Sequence, residues 1–359
     1  MRLYKMELYK IYHNRAFIKA CIVALAIWFI FFWFVGVGEE IATVDGVYYQ
    51  GYKAVKINRL ITEEFKGELT DEKLEKMVEK YGFPSLVIRN YPGFRDANYI
   101  STFVTDYFTD GYMYGWEEGE YKVPTRLYSI VETELRKQEE HIYFYYTKGW
   151  NVLLDTFQMG MVLASIVIII GVSGLFAEES QLKVLPLLFT TQKGKKEDIV
   201  AKMLAAFTMV ISLYVIMTLL TIGLSYLVFG LDGLECSYYL VTGQYVWLKM
   251  SISSVAILVM VMGLLGLLSL YAMTVCISAH CRNNFHSVVF TAACWGLPVL
   301  IRIWFGGIAY VFVSSTPIFL IMYNSVIEMV SIFGVVAALA IVCSSICVVN
   351  GYLAFKKLT

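Results

Sequence analysis

FAEESQLKVLPLLFTTQKGKKEDIVAK, residues 176–202, is a charged island in the apolar second half of the chain. It is flanked by apolar stretches at 157–175 and 203–229. Each is long enough to cross a bilayer, which takes about 20 helical residues. Within the island Leu182, Leu185, Leu188 and Phe189 recur at helical spacing with polar residues between them. Lys193, Gly194, Lys195 and Lys196 follow as a basic, turn-forming run. The pattern is that of a cytoplasmic loop that lies along the membrane and meets a partner protein. The competing reading is an amphipathic helix that only rests on lipid.

The hydrophobic fraction is 58% and the charged fraction 16%, against about 45–50% and about a quarter in soluble chains. Charges concentrate in the first half, so the second half is more apolar still. This asymmetry defines an integral membrane protein. The formal net charge is zero, which gives no electrostatic footprint for nucleic acid. The seven cysteines have neither zinc-site nor disulfide-framework spacing.

Residues 1–19 carry Arg2, Lys5, Lys10, Arg15 and Lys19 against one acid, Glu7. The apolar run 20–37 follows; it is bulkier than a signal-peptide core and no small-residue cleavage site closes it. An uncleaved first span is therefore favoured, with the basic flank placing the N-terminus inside. Residues 38–153 then form an α-rich or mixed extracellular domain. Residues 70–81 read as an amphipathic helix, with Thr70 as cap and Gly82 as stop. Residues 124–146 read as a second helix leading back to the membrane. The Tyr-rich stretches 107–114 and 143–146 suit a ligand site or, more commonly, a core or lipid interface. Further spans are expected at 157–175, 203–229, 252–278, 286–305 and 330–352. Residues 306–323 are apolar but broken by Gly306-Gly307, Ser314-Ser315 and Pro317. A re-entrant pair of half-helices there keeps Lys356 and Lys357 inside; a full span would place them outside. The expected fold is mainly α, a polytopic membrane protein with six transmembrane helices and both termini cytoplasmic. Its parts are residues 1–37, the extracellular domain 38–153, and a five-span domain 154–359 with the loop 176–202.

A basic N-terminus, one span, a large outer domain, then five spans with a charged loop after the second resemble the permease subunit of type-2 ABC transporters, mostly exporters. The loop carries the likeness. An acid (Glu178 or Glu179), an amphipathic stretch (182–189), Thr190-Thr191, Gly194-Lys195 and Lys202 follow the family's order. Leu182-Lys183-Val184 stands where many members have Gly-Thr, and Pro186 lies inside the apolar stretch. The resemblance implies a coupling helix that docks on a cytosolic ABC ATPase subunit. Glu178, Glu179, Leu182, Leu185, Leu188, Phe189, Lys193, Gly194 and Lys195 would make that contact. It also implies a second permease, identical or related, and ATP with Mg bound by the partner ATPase. The cell membrane would be the location and its lipids a further partner.

The chain lacks the phosphate-cradling signature GxxxxGK[ST]; Gly194-Lys195 has no upstream Gly at the right spacing. No cofactor, metal or catalytic residue is expected here. His280, Cys281 and His286 cluster without a fourth ligand. Asp155 and Glu328 lie near outer span ends, and Arg302 suits a pair with either. The spans hold no deep acid of the kind that a proton-driven carrier titrates. The leading expectation is an exporter permease moving a peptide, lipid or hydrophobic drug-like cargo. The alternative is a membrane-anchored sensor or assembly factor whose extracellular domain binds a peptide or cell-envelope ligand.

Overall fold

The computed structural model describes residues 2–84, 97–111, 124–133, 135, 141–182, 196–243, 249–305 and 310–357. The chain is mainly helical and, among the described residues, has six helices long and apolar enough to cross a membrane. They run Arg15–Val37, Lys148–Gln181, Lys196–Phe229, Ile252–His280, Asn284–Trp304 and Val330–Lys357. Several outrun the expected apolar stretches. The second begins at Lys148 rather than 157, and the third at Lys196 rather than 203. Hydropathy marks where lipid contact ends, whereas a helix continues for as long as its backbone hydrogen bonds do.

The chain divides into two compact units. The first comprises 1–29, 154–221 and 256–359. Small residues let its helices approach closely: a Cβ added to Gly263 would stand 2.9 Å from Phe157, and one on Gly171 would stand 2.9 Å from Phe17. Trp28 is buried, and its indole N–H donates to the Thr156 carbonyl at 2.9 Å, which satisfies the one polar atom of that ring. A short amphipathic helix, Arg2–Tyr12, precedes the first span. Tyr4 shares a hydrogen bond with Thr208 at 2.9 Å and Tyr12 with Ser212 at 2.6 Å, so this helix lies against the third span.

Before the last span, residues 310–328 form three short helices, Tyr310–Ser314, Pro317–Ile321 and Tyr323–Glu328. Each is far shorter than a bilayer crossing; residues 306–309 lie outside the described set. Pro317 opens the second of them at a position where its missing N–H costs nothing. Arg302 pairs with Glu328 at 2.5 Å and donates to Ser325 at 3.0 Å, which settles its partner in favour of Glu328.

The second unit comprises 30–153 and 222–255. It opens with the hairpin Ile41–Val44/Val47–Gln50. Asp45 and Gly46 both take positive φ, 52° and 74°, as a two-residue hairpin turn demands. Helix Tyr52–Glu63 follows, then helix Asp71–Tyr81, in which the Thr70 side chain accepts from the Lys73 amide as expected. Helix Tyr99–Phe108 is held by a reciprocal capping box between Asn98 and Ser101. Ala54, Val55, Leu74, Met77, Ile100, Val104 and Phe144 form the buried core of this unit.

Among the described residues the helix expected over 124–146 is not continuous, although Leu135 is helical. Residues 124–129 are irregular, Ile130–Glu132 make a single 3-10 turn, and Tyr143–Phe144 form a strand paired with Gly67–Glu68. Glu132 accepts from the Ser129 amide and closes that turn, and the aromatic run Tyr143–Tyr146 suits a strand.

Candidate functional site

The third span begins Lys196-Glu197-Asp198, acids in a first helical turn that complement its dipole. Asp198 and Lys202 are one turn apart on one face, acid before base. The Lys202 side chain is only 2% exposed. A lone ammonium buried to that degree would lose several kcal/mol of hydration. Three carboxylates replace the lost water: Asp198 in very close contact, Glu179 at 3.0 Å and Glu7 at 3.6 Å. Glu7 also holds Lys10 at 2.6 Å. Among the described residues the cluster brings together three carboxylates and two ammonium groups.

The groups come from three places in the chain. Glu7 lies on the N-terminal helix, Glu179 on the final turns of the second-span helix, and Asp198 and Lys202 on the first turns of the third. Behind them Ser278, on the fourth span, accepts from the amides of Phe176 at 3.1 Å and Ala177 at 3.2 Å. Its hydroxyl donates to the Ser173 carbonyl at 2.8 Å. Phe176 and Phe355 pack with ring centroids 4.4 Å apart, which adds the end of the last span. One end of the first unit is thus cross-tied at the point where the charged loop leaves the second span and enters the third.

Of the expected coupling residues, Glu178, Glu179 and Leu182 are described; Leu185, Leu188, Phe189, Lys193, Gly194 and Lys195 lie outside the described residues, as does Pro186. Glu178 is exposed and Leu182 is 63% exposed. Glu179 faces inward, and its charge is committed to Lys202 rather than to the surface. Its second oxygen, Oε2, is buried without a hydrogen-bond partner. Glu7 and Asp198 are the members of the cluster that sequence reasoning does not pick out. Both carry a signal: Glu7 is the lone acid of a basic terminus, and Asp198 precedes Lys202 by four residues.

Among the described residues no group of three or more His, Cys, Asp or Glu is arranged to hold a metal. His280 bonds the Cys276 carbonyl at 2.8 Å, a local contact within its own helix. Comparison with protein-family models, curated proteins and solved structures finds no match for this chain.

Proposed function

We propose that this chain is the transmembrane permease subunit of an ATP-driven exporter of the type-2 ABC class, working beside a cytosolic ATPase and a second permease. The observation that carries the reading is the Glu179–Lys202 ion pair, which closes the stem of the charged loop. A partner that pushes on residues 183–195 acts on two long helices whose ends are joined by that pair, while Glu7 ties the N-terminal helix to the same lysine. Displacement of the loop is then passed to the second and third spans together and is not absorbed by a slack hinge. Glu179 serves as the clamp of the stem, while Glu178, Leu182 and the residues that follow meet the partner. The six apolar helices support a membrane path for a peptide, lipid or hydrophobic drug-like cargo.

The test is purification of the tagged chain from native membranes in mild detergent, with and without Leu185→Asp plus Leu188→Asp. The expected result is a co-purifying ATPase whose hydrolysis rate rises with the wild-type chain and which is lost from the double variant, although the variant still inserts. Retention of the ATPase by the double variant defeats the docking assignment. A kinase partner with no stimulated ATP hydrolysis favours the sensor.

A further inference from the structure

The second unit holds a cleft of about 750 Å³, within the size range of small-molecule sites, roughly 300–1,000 Å³. It is built on the two helix ends that bound this unit: Glu39 and Glu40 follow directly on the first span, and Lys148 and Asn151 lie in the opening turns of the second-span helix. One wall is aromatic and already fixed. Tyr107 stands edge-on to Tyr239 at 6.0 Å, and its hydroxyl donates to the Tyr239 carbonyl at 3.2 Å. The amide of Asn151 donates to the Val241 carbonyl at 2.8 Å and holds the same wall from the other side.

Charge decides what fits. Among the described residues that line the cleft, the carboxylates of Glu39 and Glu40 stand beside one ammonium, Lys148, with Asp106 farther along the wall. The Glu40 side chain is 9% exposed. Its Oε1 takes hydrogen bonds from Asn58 at 2.9 Å and Tyr146 at 2.8 Å. Its other oxygen, Oε2, faces Lys148 at 4.0 Å, the limit of an ion pair. An inward carboxylate with one oxygen saturated and the other loosely held has capacity for a closer cation. Carboxylates of one sign on a concave wall concentrate the field in the cleft, and the faces of tyrosine rings attract an ammonium that lies against them.

We propose that this cleft binds an organic cation, a protonated amine carried on an apolar or aromatic body, with the ammonium at Glu40 and Glu39 and the body against Tyr107. Such a ligand would touch the first turns of the second-span helix directly through Lys148 and Asn151. The inference stands apart from the ATP-driven reading, because it concerns the second unit alone.

The test is equilibrium binding to the full chain in lipid nanodiscs, by calorimetry. The probes are phenethylamine, its neutral analogue 2-phenylethanol, the C-terminally amidated tripeptide Lys-Phe-Lys, and the same peptide amide acetylated at every amine. The two cationic probes should bind saturably and the two neutral ones at least about ten-fold more weakly, a difference of roughly 1.4 kcal/mol. Tighter binding of the peptide than of the small amine assigns the source to peptides, and the reverse order assigns it to free amines. Glu40→Gln keeps the shape and should weaken both cationic probes by about ten-fold or more. Exposed Glu39→Gln, which leaves the fold untouched, should weaken them by about three-fold. Lys148→Met should tighten them, since it removes the competing internal cation; a merely structural Lys148 has no reason to give that sign. Equal binding of charged and neutral probes, no saturable binding of either cation, or weaker binding to the Lys148→Met variant overturns the proposal.

Discussion

Replacing Lys202 with Met removes a buried cation that Glu179 and Asp198 share. The magnitude follows from the geometry. At an effective dielectric constant of about 20, unit charges at 3.0 Å and 3.6 Å attract by about 5 kcal/mol each. Desolvation of the ammonium and of each carboxylate offsets much of that gain, so the intact cluster contributes little net stability. Its disruption does not share that cancellation. Lys202→Met strands Glu179 and Asp198 in a site with almost no water, while Glu7 keeps Lys10. The expected cost is about 3–5 kcal/mol. For a unit of this size that is a fall of roughly 10 °C in the unfolding midpoint. The chain supplies its own probe, since the partly covered thiols Cys21, Cys276 and Cys347 of the first unit become more accessible to a fluorogenic maleimide on melting. The decisive arm is the double variant Lys202→Met with Glu179→Gln. Neutralising the stranded acid should recover about 1–2 kcal/mol of the loss. A single variant that melts with the wild type, or a double variant no more stable than the single, refutes the claim that this ion cluster clamps the stem.

Gly149→Ala tests a close helix approach, because a Cβ there would stand 2.2 Å from the Gly230 carbonyl oxygen and 2.9 Å from Phe229. Backbone cannot yield as a side-chain tip can, so a loss of about 1–3 kcal/mol is expected by thermal melting, and an unchanged melt contradicts the packing. Tyr99 is half-buried, and the covering of its ring end pushes its hydroxyl up to about 12, with hydrogen bonds from Thr147 opposing. The folded form therefore favours the neutral phenol; this contribution is complete below about pH 10, the value of an unfolded tyrosine, and is lost as pH rises toward 12. Absorbance titration near 295 nm should lose a late-titrating component in Tyr99→Phe, and an early component lost instead would place Tyr99 in water. In a background without the seven native cysteines, Glu72→Cys on helix Asp71–Tyr81 should label with an impermeant maleimide in intact cells, and Arg282→Cys should label only after lysis. The opposite pattern inverts the proposed topology.

The sequence makes the spans legible and their ends obscure, for a physical reason. Apolar runs report lipid contact, so 157–175 is readable while the polar opening turns with Lys148, Asn151 and Asp155 are not, although they belong to the same helix. The helix Asp71–Tyr81 is legible because cap, dipole and stop signals agree at Thr70, Asp71, Glu72 and Gly82. Helix Tyr99–Phe108 has an equally local signal in Asn98 and Ser101, and the hairpin has one in Asp45-Gly46; hydropathy marks neither. The range 124–146 misleads because its polar and apolar residues suit a helix locally, whereas strand pairing with Gly67–Glu68 is decided far away in the chain. At the site, Glu179 and Lys202 could be named from the loop, and Asp198 from its spacing. No local pattern places Glu7 beside them, since that contact depends on how the N-terminal helix folds back onto the third span.

That fold-back sets an order of events in biosynthesis. Glu7 is made well before Lys202, the more distant of its two ammonium partners. At roughly 5–20 residues per second, the acid is made some tens of seconds before the base that it meets. The N-terminal helix therefore cannot take its final seat until the second and third helices have been inserted. A chain that misplaces either helix leaves Glu7 with Lys10 alone or Lys202 with Asp198 alone, so the cluster is complete only once both helices are seated.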